Sequence, residues 1–311
     1  MVRVAAKAGA DFIKFQTFSP SALVTDVAAK VDYQKRTTGQ QGRQRSMLER
    51  LELSRKDFVS IKKECQKNKI GFLSTAFDPE SLKFVESLRP TFHKVSSGDV
   101  DNLAFLRQVA SYGRPVLLST GMATLWEVKS AVATLIRAGL PRQKIVVLQC
   151  HTDYPTRPDD VNLRAMDTIR ENCRVRTGLS DHTQGIAVSL AAVARGAAVL
   201  EKHFTLDCAM PGPDHRASIP PEELNRLVYG IREVEAALGD GIKKPSQAEK
   251  KTMPHVRKKL VALRTIQKGE RFTSLNLGCK RTSGGISAAK IEMYLGKKAQ
   301  CLHQRDQAIL P

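Results

Sequence analysis

Seven short apolar runs punctuate the first two thirds of the chain. They are "ADFIKFQTF" (10–18), "GFLSTAF" (71–77), "FHKVSSG" (92–98), "PVLLST" (115–120), "KIVVLQC" (144–150), "RVRTGLS" (174–180) and "AVLEKHFT" (198–205). Each is rich in β-branched or aromatic residues and bounded by Gly, Pro or polar positions, which predicts strands. Most are nearly continuous in apolar character rather than alternating, the mark of parallel strands covered by helices. Helical patterns lie between them. "PESLKFVESL" (79–88) opens with Pro79 in a first-turn position. "PPEELNRLVYGIREVEAALG" (220–239) repeats apolar residues at Leu224, Leu227, Val228, Ile231, Val234 and Leu238 and stops at Gly239. This order predicts an α/β fold, a (β/α)8 TIM barrel. The pattern starts inside a helix, "VRVAAKAGA", with no strand ahead of it, so the expected barrel lacks its first strand.

Beyond Gly239 the pattern changes. The basic, Pro-containing stretch 243–255 reads as a flexible linker. Residues 256–311 then show short strand runs, a "KGE" turn and a Gly pair at 284–285, the pattern of a small β-rich domain. The expected organisation is a barrel over 1–242, a linker over 243–255 and the small domain over 256–311.

Composition narrows the class. Of 311 residues, 41% are hydrophobic and 26% charged, the balance of a soluble globular protein. No apolar run reaches bilayer length, and the start has no secretory h-region, so neither membrane nor export is expected. Six scattered cysteines without a CxxC pair fit reduced thiols in the cytoplasm. The net charge of +19 admits anionic partners. No zinc-finger spacing, RNA-binding aromatic motif or basic heptad accompanies it, so nucleic acid is not an expected partner.

Polar residues gather at the ends of the predicted strands, where a barrel of this class builds its site. They are Lys14, Gln16, Thr75, Lys94, Ser97, Asp99, Ser119, Tyr154, Ser180, Asp181, His182 and His203. An unpaired buried lysine is costly. Two of them among hydroxyls therefore suit a small polyanion, a phosphate or carboxylate, although pairing with surface carboxylates is the plainer alternative. His182 and His203 follow successive strands and could share a divalent metal at an open site; two hydrogen-bonded loop histidines would look the same in sequence.

Read together, "AGADFIKFQTF", "FHKVSSGDVDNLAFL", "VLLSTGMATLWEV", "LQCHTDYPTRPDDVNL", "GLSDHTQGIAVSLAAVARGAAVLEKHFTLD" and "PGPDHRAS" resemble the sialic acid synthase family. "LVALRTIQKGERFT" and "KRTSGGIS" resemble its C-terminal antifreeze-like (SAF) domain. The resemblance implies a metal-dependent condensation of phosphoenolpyruvate with an N-acetylated hexosamine to give a nonulosonic acid and phosphate. N-acetylneuraminate synthesis from N-acetylmannosamine is the leading expectation. A legionaminate or other nonulosonate synthase and an inactive truncated relative are the alternatives. The resemblance assigns the metal, manganese first and magnesium or cobalt as substitutes, to His182 and His203. It assigns phosphoenolpyruvate to Lys14, Thr75, Lys94, Ser97, Ser119 and Ser180, and the sugar to Gln16, Tyr154 and Asp214. Asp99 takes the family's acidic position for handling a water proton. The resemblance also implies a domain-swapped homodimer in which Arg281 completes the partner's sugar site. The family's first strand, with its glutamate, has no match here.

Overall fold

The computed structural model describes residues 1–39 and 42–311. The chain divides into two compact units, Met1–Gly239 and Asp240–Pro311. The first is built on one parallel sheet of seven strands in sequential order: β1 (Phe12–Thr17), β2 (Gly71–Ala76), β3 (His93–Val95), β4 (Val116–Ser119), β5 (Ile145–Cys150), β6 (Arg176–Asp181) and β7 (Leu200–Lys202). Each predicted strand is present, its ends within three residues of the predicted ones; most are shortened, and β6 runs one residue further, to Asp181. Helices return the chain between strands, among them Pro79–Ser87, Leu103–Ser111, Leu125–Arg137, Ala165–Cys173 and Ala187–Ala194, and Pro221–Leu238 closes the unit.

The sheet curls until its edge strands approach, which makes one face concave, and the period of two decides which side chains line it. Leu73, Leu117, Val146 and Leu148 pack there with Phe92 and Val199 as a dry floor. The opposite face buries Val95, Val116, Leu118, Ile145 and Val147 under the helices. In register the sheet reads Gln16 beside Thr75, Thr75 beside Lys94, Cys150 beside Ser180 and Ser180 beside Glu201. Polar groups therefore lie above the apolar floor, toward the C-terminal ends of the strands. β1 and β7 are the edge strands, and the sheet curls enough to bring Lys14 Nζ of β1 within 4.0 Å of Glu201 Oε1 of β7. Gly178 permits close packing of β6 on β7: a Cβ there would lie 2.2 Å from the Val199 carbonyl oxygen.

A second polar cluster is structural. Glu86 accepts from Arg114 Nε and Nη2 at 2.6 and 2.7 Å and faces His93 Nε2 at 3.0 Å. It ties the helix Pro79–Ser87 to β3 and to the residue before Pro115 and β4. Burial alone would raise the Glu86 carboxyl, but Arg114 and His93 hold it below the ordinary range. Burial pushes His93 below its ordinary value. Both shifts act in the same sense. The neutral imidazole contributes stability that is lost as pH falls below about 6.5, and the carboxylate's share is lost at lower pH still. Glu86→Ala should cost about 1–3 kcal/mol, given the usual worth of hydrogen bonds to charged groups. The melting temperature should fall by several degrees at pH 7 and by less at pH 4. Equal losses at both values would remove the pH argument.

The second unit holds an antiparallel pair, β8 (Lys259–Ala262) and β9 (Leu277–Lys280), around Leu260, Ala262, Ile266, Phe272, Leu277 and Ile309. The stretch 243–255, expected to be a flexible linker, instead holds all but the last residue of the helix Gln247–Val256. Ser246 and Glu249 form a reciprocal capping box at its start. All six cysteines are free thiols. Among the described residues no helix is long and apolar enough to cross a membrane.

Candidate active site

Lys94 of β3 is buried, 6% exposed, and its ammonium donates to Ser119 Oγ at 2.8 Å and to the Val95 carbonyl at 3.1 Å. Glu201 Oε2 stands 3.7 Å away, and Lys14 approaches the other oxygen of the same carboxylate. Ser180 Oγ donates to Glu201 at 3.2 Å. Burial would raise the Glu201 carboxyl, but Lys94 and then Lys14 outweigh it and hold the group at about 2. Burial lowers Lys94 from its ordinary value, with Glu201 opposing. Two cations share one anion here, leaving net positive charge in a site closed below by apolar side chains.

Thr75 sits beside Lys94 in register, and its buried hydroxyl has no hydrogen-bond partner. Ser97 follows β3 and accepts from the Gly121 amide at 2.9 Å. Gly121 has no room for a side chain, since a Cβ would lie 2.5 Å from Thr152 Cγ2 and 3.0 Å from Ser97 Oγ. The structure thus brings Lys14, Lys94, Ser119 and Ser180 together around Glu201, with Thr75 next to Lys94. Gln16 is exposed near the end of β1. Asp99 lies in the turn after β3, accepts from Asn102 Nδ2 at 3.0 Å, and is raised by burial.

His182 and His203 meet edge to face, with ring centroids 5.1 Å apart. Nδ1 of His182 donates to the His151 carbonyl at 2.5 Å, which leaves its Nε2 as the free lone pair. Burial pushes both imidazoles down, His203 to about 3, with His182 and Lys14 adding to the effect. Both are therefore neutral at physiological pH, the form that ligates a metal. Asp214 Oδ2 is 3.8 Å from His203 Nδ1, and its Oδ1 is buried without a partner. No group of three or more His, Cys, Asp or Glu side chains suited to a metal is present among the described residues. The two imidazoles would thus leave the remaining positions to water or substrate oxygens. Tyr154 stacks on His182 at 4.2 Å and meets His203 at 5.4 Å. Burial pushes its phenol well above the ordinary value.

Three outcomes go beyond the sequence reading. Glu201, not singled out, is the electrostatic centre of the lysine pair. Asp181, grouped with Ser180 and His182, points to the opposite side of β6, where it accepts from Lys202 Nζ at 2.8 Å, Ser189 Oγ at 2.5 Å and the Thr183 amide at 2.8 Å. Cys150 lies inside the site, its sulfur 4.0 Å from His182 Nδ1. Arg281 belongs to the second unit, exposed just past the end of β9.

A profile of the NeuB family matches residues 1–243. The N,N'-diacetyllegionaminic acid synthase of Campylobacter jejuni is 44% identical over 309 residues, 99% of this chain and 92% of that protein. The N,N'-diacetyllegionaminic acid synthase of Legionella pneumophila is 39% identical over 96% of this chain and 84% of its own length. A crystal structure of N-acetylneuraminic acid (sialic acid) synthetase from Leptospira borgpetersenii, in complex with citrate, matches at 30% identity and a TM-score of 0.70, over 81% of this chain and 83% of that one.

Proposed function

The chain belongs to the NeuB family, the family of nonulosonic acid synthases, and from that premise we propose that it condenses phosphoenolpyruvate with a 2,4-diacetamido hexose to give a diacetyllegionaminic acid and phosphate. The observation that carries the phosphoenolpyruvate half is the buried Lys94, backed by Lys14 and two hydroxyls, beside a pair of neutral histidines. The acceptor half rests on two relatives at 44% and 39% identity, both named N,N'-diacetyllegionaminic acid synthases. That favours the 2,4-diacetamido hexose over the N-acetylmannosamine expected from the sequence.

Lys94, Lys14, Ser119, Ser180 and Thr75 bind the carboxylate and phosphate and fix the methylene carbon for attack. His182 and His203 would hold a divalent metal, manganese first, which would supply polarisation of the acceptor aldehyde oxygen. A carbon–carbon bond forms between the methylene carbon and the aldehyde carbon. Water adds at the carbon bearing the phosphate ester, and phosphate leaves. Asp99, raised by burial, handles the proton of that water. Tyr154, Gln16 and Asp214 bind the sugar. The seven strands correspond to seven of a (β/α)8 barrel. The second unit acts as an SAF-type domain exchanged in a homodimer, where Arg281 reaches the partner's sugar.

The test is phosphate release from phosphoenolpyruvate with manganese and a panel of acceptors. We expect kcat/KM at least about tenfold higher for 2,4-diacetamido-2,4,6-trideoxymannose than for N-acetylmannosamine, one properly placed polar group's worth of discrimination. A preference for N-acetylmannosamine would reverse the acceptor assignment. Release with neither sugar would overturn the condensation.

A further inference from the structure

The chain between β1 and β2 runs for more than fifty residues and carries the short helix Asp32–Thr38. One side chain of that helix reaches the site. The Tyr33 ring lies 4.9 Å from the Tyr154 ring with an interplanar angle of 31°. Tyr154 in turn lies 4.2 Å from His182 at 33°. Tyr33, Tyr154 and His182 thus form one continuous stack, although they come from three separate segments of the chain. Gln34 of that helix is buried, and Thr38 Oγ1 donates to its carbonyl within the same helix at 2.7 Å.

The polar edge of Tyr33 is equally specific. Its hydroxyl oxygen accepts from Gln34 Nε2 at 3.5 Å, so its own hydrogen is free to donate. Burial, and then the charge of Asp214, push the phenol up to about 12. Asp214 stands at the same cluster, its Oδ2 3.8 Å from His203 Nδ1 and His203 5.4 Å from the Tyr154 ring, and it carries the buried Oδ1 that has no partner. An aromatic face, a free O–H donor and an unpaired carboxylate oxygen are the complement of one chemical group, a secondary amide bearing a methyl.

We propose that Tyr33 is a specificity-determining residue that binds an acetamido substituent of the acceptor sugar. The methyl packs on the ring, the amide oxygen accepts from the Tyr33 hydroxyl, and the amide N–H donates to Asp214 Oδ1. The assignment rests on the amino-sugar reading given above and adds to it a residue from a segment without strand or motif signal.

The experiment is initial-rate kinetics of the full chain with manganese, phosphoenolpyruvate and the better acceptor, comparing wild type with Tyr33→Ala and Tyr33→Phe. Tyr33→Ala should raise the KM for the sugar about tenfold or more, with the KM for phosphoenolpyruvate within about twofold. Tyr33→Phe keeps the ring and loses one hydrogen bond, so it should recover most of the affinity and leave a rise of about two- to fivefold. A merely structural role would lower kcat and move both KM values together, and that pattern overturns the proposal. So does an unchanged sugar KM in both variants. Should Tyr33→Ala fail to fold, Tyr33→Phe decides: a rise confined to the sugar KM supports the assignment, and no rise sinks it. Wild type that turns over no amino sugar overturns the condensation and this assignment together. Active wild type with unaltered variants overturns this assignment alone.

Discussion

Lys94→Met should weaken phosphoenolpyruvate binding by about 10–100-fold while changing amino-sugar binding by less than about threefold, since a charge-assisted contact is worth roughly 1.5–3 kcal/mol. Methionine nearly fills the lysine's volume, so the change isolates the charge. Lys94 is the more deeply buried of the two cations and already donates to Ser119. A bound anion gains most from a donor held in place before it arrives. The substitution has a second effect. Glu201 would keep Lys14, at 4.0 Å, and the Ser180 hydroxyl, and its carboxyl would rise from about 2 toward the ordinary range. Removing one partner of a buried pair typically costs about 3–5 kcal/mol. Lys94→Met should therefore also melt earlier. Adding Glu201→Gln removes the uncompensated charge. The double variant should regain most of the lost stability and none of the phosphoenolpyruvate affinity. Calorimetric titration and thermal unfolding of the three proteins separate the two effects. Unchanged phosphoenolpyruvate affinity in folded Lys94→Met would refute the anion pocket.

The parts of this site that the sequence revealed are those written in short-range pattern. Strands could be placed because continuous apolar runs ended in Gly, Pro or polar residues, and strand ends locate a site in a parallel sheet. Lys14, Lys94, Ser119, Ser180, His182 and His203 are candidates on that ground, and the structure brings the first four around Glu201 and the two histidines ring to ring. Asp181 was misgrouped because adjacency is not proximity in a strand: the period of two sends Ser180 to the concave face and Asp181 to Lys202 and Ser189 behind it. The same rule would have found Glu201. It stands two residues before His203 and so shares its face, while Lys202 between them faces the other way. Tyr33 left no such trace. It lies in a segment whose path depends on tertiary packing, and nothing local to "VDYQK" records that Tyr154 comes to meet it. The helix Gln247–Val256 did leave a sign, the Ser246–Glu249 capping box, which the surrounding lysines and Pro254 masked.

His203→Ala and His182→Ala should each abolish manganese-dependent turnover and reduce manganese affinity by more than about a hundredfold, since loss of a mere outer-sphere partner already costs 10–100-fold. A metal held by only two protein ligands would have no reserve when one is removed. The fold should survive in both variants: His203 is half-buried at the end of β7, and the main tie of His182 is a single bond to the His151 carbonyl. The pH dependence follows from the direction of the shifts. Burial pushes both imidazoles below the ordinary histidine value, His203 down to about 3. Protons should then compete poorly with the metal. Manganese affinity of the wild type should begin to fall at a lower pH than that of an exposed two-histidine site, which would lose affinity below about pH 6.5. Calorimetric titration with manganese alone measures this without any turnover. Acid lability setting in near pH 6.5 would mean that the histidines are hydrated and open in solution. An affinity unaffected by either alanine variant would place the metal elsewhere.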